Sequence, residues 1–202
     1  MDLPPKDSCV RLGPGAEVTL NVDVQNKWRD KTLRLRQVRG SILAAVFEIE
    51  YSLDRALREI FFPGCGKQSF TDSTPASSTK LGVDIRQRCT LFDEVFLKSR
   101  SANLDRKINI LNEIAREVKS FPAILPEGLI KTLREINQIR NKFAHYPISF
   151  DPVYVSGQQE LQARLICKNE EIVLDDAYLS RVFSLLQEAI TRLDQLNRFL
   201  TS

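Results

Sequence analysis

The residues best suited to chemistry lie in one eight-residue stretch, RNKFAHYP, of a chain of 202 residues. The stretch contains an arginine, an amide and the only histidine of the sequence, at Arg140, Asn141 and His145. A guanidinium binds phosphate, a side-chain amide orients a hydroxyl by hydrogen bonding, and an imidazole transfers protons near neutral pH. These three residues are therefore the candidate catalytic groups.

The helical pattern around this stretch limits how the three groups can cooperate. Apolar residues at spacings of three and four predict a helix over 126–145, which ends there because Pro147 restricts Tyr146 to extended backbone. Arg140 and His145 are five residues apart, so roughly 140° of rotation separates them on a regular helix. They could meet at one phosphate through the long arginine stem, through distortion at the helix end, or by using two subunits.

A purely structural interpretation of the same residues is also open. Arg140 falls in the apolar stripe of the predicted helix, where a charge needs an anionic partner such as Glu50, Asp54 or Glu135. His145 lies in the last turn, where a cation interacts favourably with the helix dipole and with unpaired carbonyl groups. In that case the stretch is a helix end and no more.

The overall composition is typical of a globular protein. Hydrophobic residues make up 43% and charged residues 27% of the chain, and the formal net charge is +3. No apolar run approaches the roughly 20 residues that a membrane helix needs, and the first residues do not resemble a signal peptide. We therefore expect a cytoplasmic protein without membrane contact.

The four cysteines are scattered along the chain, which predicts reduced thiols and no zinc site. They are Cys9, Cys65, Cys89 and Cys167.

Periodicity predicts a mainly α protein, an up-and-down bundle of about five helices with a small β-hairpin or meander before the last helix. Residues 1–27 form an N-terminal extension with one short strand over 18–24, and residues 28–202 form a single helical domain. Within that domain we expect a mobile loop over 63–82 and a β-insert over 148–175. The predicted helices cover 27–62, 85–99, 103–121, 126–145 and 176–199.

Two features of the first helix have more than one interpretation. Phe47 and Tyr51 lie opposite its main apolar stripe, which indicates either burial within the same chain or contact with a second copy. Its first turns are basic, which indicates either a solvated face or a phosphate-binding patch. The basic residues are Lys27, Arg29, Lys31, Arg34, Arg36 and Arg39.

The segment Ile139–His145, IRNKFAH, resembles the R-x4-6-H signature of the HEPN superfamily, most similar in form to the mannitol-repressor-like branch. The likeness extends more loosely over about residues 30–147. It implies a small helical bundle. Many members of that superfamily are metal-independent endoribonucleases of toxin–antitoxin and antiviral systems. The resemblance therefore implies a homodimer with both motifs lining one cleft, RNA as substrate, and an antitoxin or defence-system partner protein.

The resemblance also implies a role for each residue of the motif. Arg140 would bind the scissile phosphate, His145 would act as general base or acid, and Asn141 would orient the site. Lys142 and Tyr146 would contact the substrate. The 2′-hydroxyl of RNA is the nucleophile in such a reaction, so the resemblance implies neither a metal nor another cofactor.

Two departures from the family pattern bear on these expectations. Tyr146 directly follows His145, whereas the toxins paired with a nucleotidyltransferase antitoxin have a tyrosine two residues after the histidine. The mannitol-repressor-like branch also includes regulators without demonstrated catalysis. The alternative is therefore a non-catalytic, HEPN-like dimeric regulator or interaction module.

Overall fold

A computed structural model of the protein describes residues 8–11, 17–20, 22–63, 90–97, 103–155, 158–168 and 170–202. Within these ranges the chain is mainly helical, with five helices and a small antiparallel sheet before the last one, as the sequence predicts. The helices are α1 (Val22–Phe61), a π-helical segment (Phe92–Leu97), α2 (Leu104–Glu117), α3 (Leu129–His145) and α4 (Asp176–Thr201).

The described strands form two antiparallel sheets. The first pairs β1 (Ser8–Arg11) with β2 (Glu17–Leu20). The second is a meander in the order β3 (Ile148–Val155), β4 (Gln158–Ile166) and β5 (Glu171–Val173). The meander occupies the predicted β-insert, between the helix that ends at His145 and the last helix.

Polar contacts show that α4 runs parallel to α1. Near their starts, the Arg34 guanidinium lies 3.7 Å from a carboxylate oxygen of Asp176. Towards their ends, the Asn197 amide donates to the Ser52 hydroxyl over 2.9 Å. These two helices pack along most of their length and form the longest contact of the bundle.

The third helix runs in the opposite direction. The end of α3 lies beside the first half of α1, where the Arg39 guanidinium donates to the Ala144 carbonyl over 3.1 Å. The start of α3 lies beside the second half of α4, where the Thr132 hydroxyl donates to a carboxylate oxygen of Glu188 over 3.2 Å. Thus α1 and α4 run in one direction and α3 runs in the other.

One apolar core joins the four α-helices and the inner face of the meander, in which Ala163 and Leu165 of β4 are buried. Helical spacing explains the composition of this core, because residues three and four positions apart share one face. Its largest fully buried side chains are Ile42, Ile49, Leu53, Leu57, Leu104, Ile108, Leu111, Leu129, Leu133, Ile136, Phe143 and Leu165.

A buried charge triad lies between α1 and α2. The Lys107 side chain is only 3% exposed, and its ammonium nitrogen lies 2.8 Å from Glu50 Oε1 and 2.8 Å from Asp54 Oδ1. Burial disfavours the ammonium, but hydrogen bonds to Asp54 and Glu50 and their negative charges outweigh it and raise the pKa of Lys107. Burial also raises the pKa of Asp54, and Lys107 offsets this only in part. The Lys107 ammonium and the Asp54 carboxyl group therefore both lose their protons at a higher pH than they would in water.

Several predicted boundaries were wrong by a few residues. The helix predicted from residue 27 begins at Val22, so Val24 belongs to α1 and not to a strand over 18–24. The strand itself is Glu17–Leu20, and its partner is Ser8–Arg11. The local alternation of apolar residues predicted a strand, but the helix extends back over its second half.

In the middle of the chain, the end of one helix and the start of the next also differ from the prediction. The helix predicted to reach 121 ends at Glu117, and the next residue, Val118, is extended with φ −95° and ψ 101°. The helix predicted from 126 begins at Leu129 after Gly128, which has a left-handed φ of 74°. A glycine adopts this conformation without steric strain, so it separates Pro126 from the helix.

Parts of two predicted elements lie outside the described residues. Of the helix predicted over 85–99, the structure describes 90–97, and these residues are helical. Of the loop predicted over 63–82, only Pro63 is described.

Replacing Lys107 with methionine should destabilise the fold. The change leaves Glu50 and Asp54 uncompensated, which we expect to lower the free energy of unfolding by about 3 kcal/mol, the lower end for a broken buried pair, because water partly reaches both carboxylates. Urea unfolding measures this. The matched control is Lys131→Met on the exposed face of α3, which should change stability by less than about 0.5 kcal/mol. Equal losses in the two variants would contradict the structural role of the triad.

The same triad should make the fold sensitive to alkali. The pKa of Lys107 in the folded chain is raised above its ordinary value of 10.5, so its contribution is fully present below that pH and is lost as the pH rises through the folded-state pKa. We expect the wild type to lose unfolding free energy above pH 10.5 more steeply than Lys107→Met. Urea titrations at a series of alkaline pH values test this, and parallel curves for the two chains would refute it.

Candidate functional site

The candidate site lies where α3 ends. The helix stops at His145 because Tyr146 has extended backbone, with φ −102° and ψ 142°, before Pro147. The Tyr146 N–H donates to the Lys142 carbonyl over 3.1 Å, which completes the last turn. The sequence predicted this helix end correctly, and the motif residues are thus held by a well-formed final turn.

The three candidate catalytic residues differ in exposure. His145 and Asn141 are exposed, and Arg140 is half-buried. The Arg140 guanidinium donates through Nη1 to the Asn141 Oδ1 atom over 3.1 Å, so these two side chains are in direct contact. Within this single chain, the roughly 140° of helix rotation between Arg140 and His145 keeps them on different faces.

Arg140 has no carboxylate partner among the described residues. The structural interpretation offered Glu50, Asp54 or Glu135 as examples of a partner, but the first two bind Lys107 instead, and Glu135 forms no ion pair with Arg140. The first two pairings fail for a geometric reason: both carboxylates lie level with the start of α2, whereas Arg140 belongs to the end of α3. The guanidinium therefore retains donors that are free to bind an anion from outside the chain.

The structure adds Arg39 of α1 to this region. Its guanidinium donates to the carbonyl of Ala144, directly before His145, and it supplies a positive group to the end of α3 where helix carbonyls lack partners. The sequence showed Arg39 only as one of six basic residues in the first turns of α1. The contact of Arg39 with the end of α3 depends on the antiparallel packing of α1 and α3, and no local sequence pattern indicates it.

The candidate substrate-binding residues line a pocket of about 480 Å³ between α3 and the β4–β5 turn. Asn141 and Lys142 of α3 contribute to it, as does Tyr146, which directly follows the helix, and neither Arg140 nor His145 lines it. The remaining lining residues are Gln138, Cys167, Lys168 and Glu170. The motif residues therefore lie on more than one surface: Asn141 and Lys142 line this pocket, and Arg140 and His145 lie outside it.

An ion pair spans this pocket. Lys142 Nζ lies 2.6 Å from Glu170 Oε1, and this hydrogen bond raises the pKa of Lys142 despite partial burial. Burial raises the pKa of the Cys167 thiol, so near neutral pH the thiol stays protonated and is a weak nucleophile. The pocket thus offers one cation that a carboxylate already neutralises and a second cation, Lys168, beside uncharged polar groups.

A second, smaller pocket of about 270 Å³ adjoins the first, since Gln138 and Lys142 line both. Its other walls come from α3 and α4, including Tyr178, Arg181 and the apolar Leu185. Burial raises the pKa of Tyr178, which keeps its hydroxyl neutral. The two pockets form one groove along α3.

No protein-family model, curated protein or solved structure matches the chain. The described residues include no group of three or more histidine, cysteine, aspartate or glutamate side chains placed to hold a metal ion. Among the described helices, none combines the length and the apolarity needed to cross a membrane.

Replacing Arg39 with methionine should loosen the last turn of α3. The variant keeps the aliphatic packing but loses the charged donor to Ala144, so we expect about 1 kcal/mol less stability and faster amide exchange at Tyr146. Hydrogen exchange followed by NMR measures both. The control is Arg36→Met, an exposed arginine on the same helix, which should leave that amide unchanged. Equal protection of Tyr146 in all three chains would argue against the contact.

Proposed function

We propose that the protein is a metal-independent endoribonuclease of HEPN type, active as a homodimer through Arg140, Asn141 and His145. The observation that best supports this is the state of Arg140. Its guanidinium is half-buried, is oriented by Asn141, and has no carboxylate partner in the described part of the chain. An arginine held in this way is suited to a phosphate group of an incoming substrate.

The chemistry follows from the nature of RNA. The 2′-oxygen attacks the adjacent phosphorus, the bond from phosphorus to the 5′-oxygen breaks, and the products are a 2′,3′-cyclic phosphate and a 5′-hydroxyl. An imidazole takes the proton from the 2′-hydroxyl, and an imidazolium gives one to the leaving oxygen. The exposed ring of His145 can serve in either role. Arg140 stabilises the charge that develops on the phosphate oxygens.

The angle between the two groups supports a dimeric site. Arg140 and His145 of one copy point to different faces of α3, roughly 140° apart. A second copy related by two-fold symmetry brings another arginine and another histidine to a shared cleft. One histidine can then act as base while the other acts as acid, which a single copy does not provide.

Positive charge near the helix end supports RNA as the substrate. Arg39 fixes the basic first half of α1 beside His145, so Arg36 and its neighbours lie close to the path of a strand that enters the site. Lys142 and Lys168 add two cations in the adjoining pocket. A phosphate that binds Lys142 must displace the Glu170 carboxylate. A polyanion can offset the cost of this displacement with its other contacts, whereas a weakly bound single anion cannot.

The proposed biological setting is a toxin–antitoxin or antiviral defence system with a dedicated partner protein. This setting rests on the resemblance of the IRNKFAH motif to HEPN nucleases. Because Tyr146 directly follows His145, we do not extend the proposal to regulation by nucleotidylation of a tyrosine.

A second candidate function is a non-catalytic dimeric regulator or interaction module. The ion pair between Lys142 and Glu170 favours it, because one cation of the motif is already neutralised within the chain. In this case Arg140 and Asn141 bind an anionic group of a partner, and His145 has no part in a reaction.

Cleavage of RNA in the presence of EDTA distinguishes the two functions. We expect wild-type protein to cut single-stranded RNA and to leave a 2′,3′-cyclic phosphate. Arg140→Ala should reduce the rate by about 10²–10³-fold and His145→Ala by about 10²–10⁴-fold. Gel analysis of end-labelled RNA measures the rates and identifies the ends.

The control is Arg134→Ala, an exposed arginine on the same helix, which should cut at the wild-type rate. Circular dichroism and urea unfolding check that each variant is folded. If wild-type protein cuts no RNA, while Arg140→Ala remains folded but no longer binds an anionic partner, the regulator is the better description. Cleavage that persists in His145→Ala at the wild-type rate would exclude the proposed mechanism.

A further inference from the structure

The outer face of α1 has apolar and small residues that the bundle does not use. Phe47 is 70% exposed and Tyr51 is 72% exposed, although such large aromatic side chains usually lie in cores or interfaces. Ile42 of the core and Tyr51 are nine residues apart, roughly 180° around the helix. These aromatics therefore point away from the core, and burial within the same chain, one of the two interpretations of their spacing, is wrong.

The exposed residues form a regular row, which we call the outer seam. It consists of Leu33, Gln37, Gly40, Ala44, Phe47 and Tyr51, all exposed and separated by alternating steps of four and three. This spacing is the pattern by which two helices pack along their length. Core-facing residues such as Ile42 and Ile49 follow a separate stripe, so α1 has two packing faces.

The small residues occupy the middle of the seam. Gly40 and Ala44 come after the larger Leu33 and Gln37, and Phe47 and Tyr51 follow. A Cβ atom added at Gly40 would meet nothing within 4 Å, so no contact inside the chain requires a glycine there. Glycine in the middle of a helix is unfavourable, by about 1 kcal/mol relative to alanine. Gly40 and Ala44 thus leave a recess in the surface of the seam, and no contact within one chain explains it.

An antiparallel pair of α1 helices fills this recess. With a two-fold axis between Ala44 and Phe47, Ala44 faces the partner's Phe47 and Gly40 faces the partner's Tyr51. Each large ring then lies over a small residue, at both ends of the contact. A parallel pair would instead place Phe47 against the partner's Phe47 and leave a gap between the two glycines.

Charge favours the same direction. The first part of α1, residues 27–39, has six basic residues and one acidic residue, Asp30, whereas residues 48–59 have four acidic and two basic residues. Lys107 neutralises only one of the charges of Glu50 and Asp54. Antiparallel pairing places the basic end of one helix beside a part of the other in which acidic and basic residues balance, whereas parallel pairing places two basic ends together.

We propose that a second copy of this chain occupies the outer seam, with the two α1 helices packed antiparallel about a two-fold axis between Ala44 and Phe47. The proposal gives a surface and a register to the homodimer of the proposed function, and it does not depend on RNA cleavage. Arg39 connects this same helix to the end of α3, so the seam and the candidate site share one rigid element.

The size of the seam predicts a reversible dimer. In this register Gly40 to Tyr51 of each helix face one another over roughly 17 Å, so the helix pair lies at the low end of stable interfaces. We therefore expect the dissociation constant to fall in the micromolar range. Sedimentation velocity over a concentration series from about 1 to about 300 µM should show a monomer–dimer equilibrium.

Charged substitutions in the seam test its position. Phe47→Glu and Tyr51→Glu should each raise the dissociation constant at least tenfold and leave the fold unchanged, because both side chains are exposed. The matched control is Phe199→Glu, an aromatic residue on α4 that is 61% exposed and outside the seam, which should dimerise as the wild type does. A wild type that stays monomeric, or a dimer that persists in both seam variants, overturns the proposal.

Gly40→Leu separates packing in the dimer from folding of the monomer. The monomer has open space at Gly40, so the variant should unfold at the same urea concentration as wild type or a higher one. The added side chain should nevertheless block the partner's Tyr51 and raise the dissociation constant at least tenfold. A Gly40→Leu chain that is well folded and dimerises normally would overturn the proposed register.

Disulfide trapping tests the direction. A mixture of Gly40→Cys and Tyr51→Cys chains should form a mixed disulfide, and Gly40→Cys alone should not form one through that residue. The opposite result would indicate parallel pairing and overturn the proposal. The RNA assay is independent of this outcome. A dimer without cleavage contradicts the nuclease and leaves the seam intact, whereas cleavage by a monomer contradicts both the seam and the dimeric site but not RNA cleavage itself.

Discussion

Lys107 places one ammonium group, almost completely buried, between two carboxylates of α1, and much of the charge distribution of the bundle depends on this contact. An ion of this kind is stable inside a protein only with partners, so Glu50 and Asp54 are committed to α2. Both carboxylates lie level with the start of α2. Arg140 belongs to the end of α3, where it has no carboxylate partner among the described residues.

The end of α3 shows how one helix serves several surfaces. Phe143 points into the core, Arg140 and Asn141 form a hydrogen-bonded pair, and Lys142 faces a groove that Glu170 closes from the β4–β5 turn. Because successive residues differ by about 100° around a helix, a compact motif cannot direct all its side chains to one ligand. The short spacing from Arg140 to His145 thus keeps the two side chains on different faces of α3, and the proposed site therefore requires groups from elsewhere.

The sequence was sufficient to predict the helical bundle, the meander before the last helix, and the end of α3 at His145. These features depend on local patterns, namely apolar periodicity, turn residues and the restriction that a proline imposes. The helix starts at Val22 and Leu129 were missed because a strand-like alternation and a well-placed proline gave competing local signals. The pairing of Lys107 with Glu50 and Asp54, and of Arg39 with Ala144, could not be predicted, because each joins residues more than 50 positions apart.

The two packing faces of α1 connect these observations. One face supplies the core and the carboxylates for Lys107, and the opposite face presents Phe47 and Tyr51 beside the small Gly40 and Ala44. A helix of 40 residues is much longer than α2 or α3, so part of its length extends past the segments that cover it. Thus α1 combines a basic surface and a contact with the end of α3 in its first half with an apolar row that continues into its second half. A second copy docked on that row would bury the aromatic rings.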